Sequence, residues 1–127
     1  MKKWNGAKPS GEKRGSHAYV PDAGHLVWFS FSPQAGRKQA GRWPALVLSA
    51  RSYNARAGLC VICHITNQVK QYPFEVLLPP GLPVAGVVLS DHLKSADWQA
   101  RAVEYVGLAP PEVLTEVRAR LKPLLGM

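Results

Sequence analysis

Acidic residues are scarce in this chain and unevenly spread. From Ala23 to Phe74 there is no Asp or Glu, while Arg37, Lys38, Arg42, Arg51, Arg56 and Lys70 all fall in that window. Acids return at Glu75, Asp91, Asp97, Glu104, Glu112 and Glu116, and the 127 residues together carry a net charge of +8. A basic window without internal counter-charges favours a polyanionic partner such as nucleic acid. The plainer alternative is a basic protein that is merely soluble.

Cysteine is almost missing too. Cys60 and Cys63 make one C-x-x-C. A zinc site needs a second ligand pair, and a redox site needs a helix amino terminus. This pair instead lies within Leu59-Cys60-Val61-Ile62-Cys63-His64-Ile65, an apolar run that reads as a strand. Residues three apart on a strand point to opposite faces. Ordinary packing in a reducing cytoplasm is therefore expected, with no metal and no cofactor. Long apolar runs are absent: none reaches membrane-spanning length. The basic amino terminus is not followed by the apolar core of a signal peptide.

What is present suits one domain with one core, since hydrophobic residues make up 46% of the chain. Residues 1–18 carry Lys2, Lys3, Lys8, Lys13 and Arg14 among glycines, without apolar periodicity. They are expected to be a disordered basic tail, and Gly15-Ser16-His17 fits a cloning remnant as well as a natural tail. Residues 19–127 are expected to be the folded domain. Strands are read at His25–Phe31, Ala45–Ser49, Leu59–Thr66, Phe74–Leu78, Gly86–Ser90 and Arg101–Val106. Arg51–Gly58 reads as a polar loop with room for one helical turn, and Asp91–Trp98 as a helical or irregular link. A helix starts at Pro110-Pro111, with Leu114, Val117, Leu121, Leu124 and Leu125 as its apolar stripe. Many short strands and one terminal helix indicate a small, strongly bent sheet or barrel.

The organising stretch is Gly36-Arg37-Lys38-Gln39-Ala40-Gly41-Arg42-Trp43-Pro44, a basic loop feeding the second strand. Glycines free its backbone to turn, and Pro44 pushes Trp43 toward an extended conformation. Such a loop wants an anion.

A longer series of segments carries a resemblance. It comprises Tyr19-Val20-Pro21-Asp22-Ala23-Gly24-His25-Leu26-Val27-Trp28, Gln39-Ala40-Gly41, Pro44–Ser49 and Tyr53-Asn54. It continues with Ile65-Thr66-Asn67-Gln68, Tyr72-Pro73-Phe74-Glu75-Val76, Gly86-Val87-Val88-Leu89 and Lys94-Ser95. In order and spacing these resemble the MazF/PemK toxin family. The resemblance implies an SH3-like barrel, also found in CcdB-like toxins, that works as a homodimer. It implies a metal-free endoribonuclease of a type II toxin–antitoxin system that cuts single-stranded messenger RNA, held inactive by an acidic, MazE-like antitoxin.

Cleaving RNA without metal uses the ribose 2′-hydroxyl as nucleophile. The protein must accept its proton, protonate the leaving oxygen and steady the charge on phosphorus. In the family the loop reads Glu-Gln-x-Gly-x-Arg-Pro, but here Lys38 stands at the Glu position and Trp43 at the Arg position. Lys38, Arg42, Trp43 and Thr66 are thus the catalytic candidates. Arg37, Gln39, His64, Asn67, Gln68, Lys70 and Lys94 are the RNA-binding candidates. His64 stands where the family commonly has a non-ionisable residue. One reading is an active toxin with a rearranged loop. The other is a module that binds RNA or antitoxin with weakened chemistry. A gyrase-directed toxin on the same barrel is a weaker third.

Overall fold

The computed structural model describes residues 19–30 and 42–127. Six strands form one antiparallel sheet: β1 (His25–Ser30), β2 (Arg42–Val47), β3 (Leu59–Thr66), β4 (Glu75–Leu77), β5 (Val87–Asp97) and β6 (Glu104–Leu108). Their order across the sheet is β4-β5-β3-β2-β1-β6. Helix α1 (Arg51–Ala57) joins β2 to β3, and α2 (Pro111–Leu124) closes the chain.

The two faces of the sheet bury different side chains, as the alternation of a strand requires. On one face Leu26, Leu46, Cys63, Ile65 and Val88 pack under Val113, Val117 and Leu121 of α2. On the other, Val27, Phe29, Ala45, Val47, Cys60 and Ile62 pack with Ala96 and Trp98. Cys60 and Cys63 therefore belong to opposite cores, as their spacing on a strand indicates. Burial pushes both thiols up to about 12, which leaves them inert.

Two strands are shifted from the sequence reading, β2 starting at Arg42 rather than Ala45 and β6 running Glu104–Leu108 rather than Arg101–Val106, and three elements differ more. Arg51–Ala57 is a full helix rather than a loop with one turn. Its Asn54 is buried, donating from Nδ2 to the Pro21 and Ser49 carbonyls at 2.8 and 3.0 Å and accepting from the Ser49 hydroxyl at 2.6 Å. The Asn54 carbonyl also accepts the Trp98 indole N–H at 3.0 Å. Pro21 and Trp98 come from distant segments, so local composition does not reveal these contacts. The segment read as a link, Asp91–Trp98, instead continues β5 to Asp97. On α2 the buried stripe is Val113, Val117 and Leu121, while Leu124 and Leu125 are exposed at the fraying end.

The extended β5 is bent. Cys63 pairs with Leu93, but Ile65 pairs with Val88. A single residue of β3, His64, thus faces the four residues Leu89–His92. A bulge of this size re-aims side chains and curls the sheet.

Candidate RNA-binding and catalytic face

Arg42 and Trp43 are neighbours on an extended strand, so they point to opposite faces. Trp43 is on the face of Phe29 and Ala45, and 36% of its surface remains exposed. Its indole lies 4.4 Å from the imidazole of His64 between ring centroids, tilted by 51°. Phe29 meets His64 edge-on at 5.7 Å. His92, on the bent part of β5, has its ring 6.4 Å from that of His64. Lys94 follows on the same face, opposite Ile62 of β3. An aromatic floor is thereby rimmed by imidazole and ammonium groups.

This setting acts on His64. Partial burial holds its pKa below the ordinary 6.5, and the electrostatic influence of Lys94 and then His92 pushes the same way. The His64 ring is therefore a neutral imidazole at neutral pH, with a lone pair to offer.

Thr66 lies two residues along β3 from His64, on the same side of the strand. Its Oγ1 accepts the Gln68 backbone N–H at 3.1 Å, which leaves the hydroxyl proton for an anion. Gly86 holds this position from behind. Its φ is +120°, and a Cβ there would sit 2.1 Å from the Thr66 carbonyl oxygen. Only glycine allows that approach.

Asn67, Gln68 and Lys70 are exposed on the loop that follows. The Glu75 carboxylate shapes this loop by accepting the backbone N–H groups of Lys70 at 2.9 Å and Gln71 at 2.7 Å.

Among the sequence candidates, the fold brings together Trp43, His64 and Lys94, with Thr66 and its loop alongside. It does not bring Arg42 to them. The Arg42 guanidinium lies over the Trp28 ring, 5.4 Å from its centroid, and is hydrogen-bonded to Glu104. Arg37, Lys38 and Gln39 lie outside the described residues. His92 was missed by the sequence reading because Asp91–Trp98 was not read as a strand. Alternation through His92, Lys94 and Ala96, ending on a small apolar residue, was the available signal.

Among the described residues, no group of three or more His, Cys, Asp or Glu side chains is placed to hold a metal ion. No helix among them is long and apolar enough to cross a membrane.

Residues 22–125 match the model of the PemK-like, MazF-like toxin of type II toxin–antitoxin systems. The chain belongs to this family. It is similar to the endoribonuclease toxin MazF of Escherichia coli K12, with 44% identity over 108 residues that cover 85% of this chain and 96% of that one. It is also similar to the crystal structure of MazF from Deinococcus radiodurans, with 58% identity, a TM-score of 0.77, and coverage of 86% of this chain and 99% of the other. A crystal structure of a MazE–MazF complex from the same organism matches with 53% identity, a TM-score of 0.77, and coverage of 86% and 98%. The expected fold, a small curled β structure with a terminal helix, is thus that of the MazF structures.

Proposed function

We propose that this PemK/MazF-like toxin is an endoribonuclease that cuts single-stranded messenger RNA without a metal ion, through attack of the ribose 2′-hydroxyl on the adjacent phosphorus. One observation carries the reading: Trp43, His64, His92 and Lys94 converge on one side of the sheet at the β5 bend, with Thr66 beside them. The indole offers a stacking surface for a base. Lys94 supplies positive charge for the phosphate, and the Thr66 hydroxyl is placed to fix a phosphate oxygen. Relatives named as endoribonucleases support this reading over a module that only binds. The Arg37, Lys38 and Gln39 loop is assigned to the RNA as well, because its charge extends the same acid-free window.

The partners follow from the same chemistry. A basic toxin surface suits an acidic antitoxin, and the MazE–MazF complexes among the solved relatives support a MazE-like one. A homodimer in the cytoplasm is the working form, with residues 19–127 as the toxin domain and residues 1–18 as a basic tail outside it.

The test is incubation of purified protein with a long single-stranded RNA in EDTA, followed by end-group analysis. The expected products carry a 2′,3′-cyclic phosphate and a 5′-hydroxyl. Intact RNA overturns the nuclease assignment. Lys38→Glu combined with Trp43→Arg tests the location, and unchanged cleavage would place the site elsewhere.

A further inference from the structure

Transesterification of RNA needs two proton movements at opposite ends of one phosphorus. The nucleophilic 2′-oxygen must lose a proton, and the departing 5′-oxygen must gain one. The family loop carries a Glu and an Arg, but this chain has Lys38 and Trp43 in their places. Neither replacement is an acid–base group suited to neutral pH. Two imidazoles stand instead at the β5 bend, and imidazole is the side chain whose ordinary titration spans neutral pH.

Building on the nuclease reading above, we propose that His64 and His92 are a proton-transfer pair that flanks the scissile phosphodiester, with Lys94 as the cation that steadies it. Their ring centroids are 6.4 Å apart. At that separation a ring nitrogen of each can reach a different oxygen of one phosphoryl group seated over the pair, within a hydrogen bond of roughly 2.6–3.2 Å.

The surroundings assign the two roles. His64 is half-buried against Trp43 of β2 and Phe29 of β1. The titratable groups that act on it are Lys94 and His92, both from β5. A cationic rim and partial burial keep its lone pair available, so His64 accepts the 2′-proton. His92 is exposed, so it reloads from water and donates to the 5′-oxygen. The adjacent carboxylate, Asp91, is engaged by the Tyr72 hydroxyl at 2.8 Å.

The step balances. The 2′-oxygen to phosphorus bond forms as the 2′-proton moves to His64. The phosphorus to 5′-oxygen bond breaks as the proton of His92 moves to the leaving oxygen. The products are a 2′,3′-cyclic phosphate and a 5′-hydroxyl, with His64 protonated and His92 neutral. Exchange of one proton with water on each ring restores the start.

The experiment uses the full chain and an oligoribonucleotide spanning a cleavage site mapped with the parent protein. A second oligonucleotide has sulfur in place of the 5′-bridging oxygen, and this leaving group departs without a proton. His64→Gln should lower kcat by about 10² to 10⁴ on both substrates and remove the acidic limb of the pH–rate profile. His92→Gln should lower kcat similarly on the oxygen substrate and recover to within about tenfold of the parent on the sulfur substrate. Because His92 is exposed, that arm stands even if His64→Gln folds poorly. RNA left intact by the parent protein overturns the nuclease reading itself. Cleavage by the parent with both variants at parental rates, or His92→Gln without rescue by sulfur, overturns the pair alone.

Discussion

Arg42 and Trp43 are adjacent in the chain and serve opposite sides of the sheet. The guanidinium of Arg42 covers Trp28 and engages Glu104, while the indole of Trp43 lies against His64. The position that matches the arginine of the family loop is thus filled by an aromatic ring. The nearest arginine is held away from that ring by a partner on β6.

The first expectation concerns this arginine. The side chains of Arg42 and Glu104 are 50% and 64% exposed, so breaking the pair with Glu104→Gln should change stability by less than about 1 kcal/mol. Arg42→Ala should leave kcat/KM on RNA within about fivefold of the parent, because its side chain lies over Trp28 on the face opposite Trp43 and His64. A hundredfold loss in that assay would mean that the guanidinium reaches the phosphate.

Gly86→Ala should be far more damaging. The added methyl would meet the Thr66 carbonyl, and the left-handed φ is itself strained for alanine. Together these should destabilise the fold by about 1–3 kcal/mol in urea melts. Cleavage should fall even at temperatures where the variant is folded, because Thr66 is displaced. Parental stability would show that the backbone there yields easily.

Stability should also depend on His25. Its Nδ1 lies 2.7 Å from the Tyr19 hydroxyl and accepts the Asp22 backbone N–H at 3.3 Å. Burial lowers its pKa from 6.5, and Arg51 adds to this while Asp22 opposes it. The unfolded chain therefore binds the proton more readily than the folded one. The contribution is complete above about pH 6.5 and is lost as pH falls toward the folded pKa. Melting temperatures at pH 7.5 and 5.5 should differ more for the parent than for His25→Gln. His64, shifted in the same direction, keeps the variant from being fully flat. Equal pH dependence in the two proteins would remove His25 from the account.

The charge of the site should be readable in salt. Each phosphate contact to single-stranded RNA adds about 0.7 to the slope of log affinity against log salt. Lys94→Ala should reduce the measured slope by about that amount. An unchanged slope would place Lys94 outside the RNA track.

The sequence makes β3 legible to the residue, because Leu59–Thr66 combines β-branched side chains with flanking turn signals. Its alternation also sorts Cys60 from Cys63 without any structure. Trp43, Thr66, His64 and Lys94 become candidates through the family resemblance rather than through this alternation. The sequence reading fails for His92 and for α1, for different physical reasons. Polar residues such as Asp91, His92 and Lys94 mask a strand that curls away from its neighbour. The helix at Arg51–Ala57 is tied through Asn54 to Pro21 and Trp98. Such long-range pairing leaves no local periodicity to detect. Leu124 and Leu125 show the converse, since helical spacing alone does not say where the sheet beneath a helix ends.

The four-to-one mismatch opposite His64 is slack in an otherwise tightly indexed ladder. Leu89–His92 have no one-to-one partners on β3, while Leu89 keeps Glu75 of β4 and Leu93–Asp97 keep their partners on β3. A protein with such a joint can acquire new chemistry at one corner without relaying its framework. Two imidazoles stand at that corner.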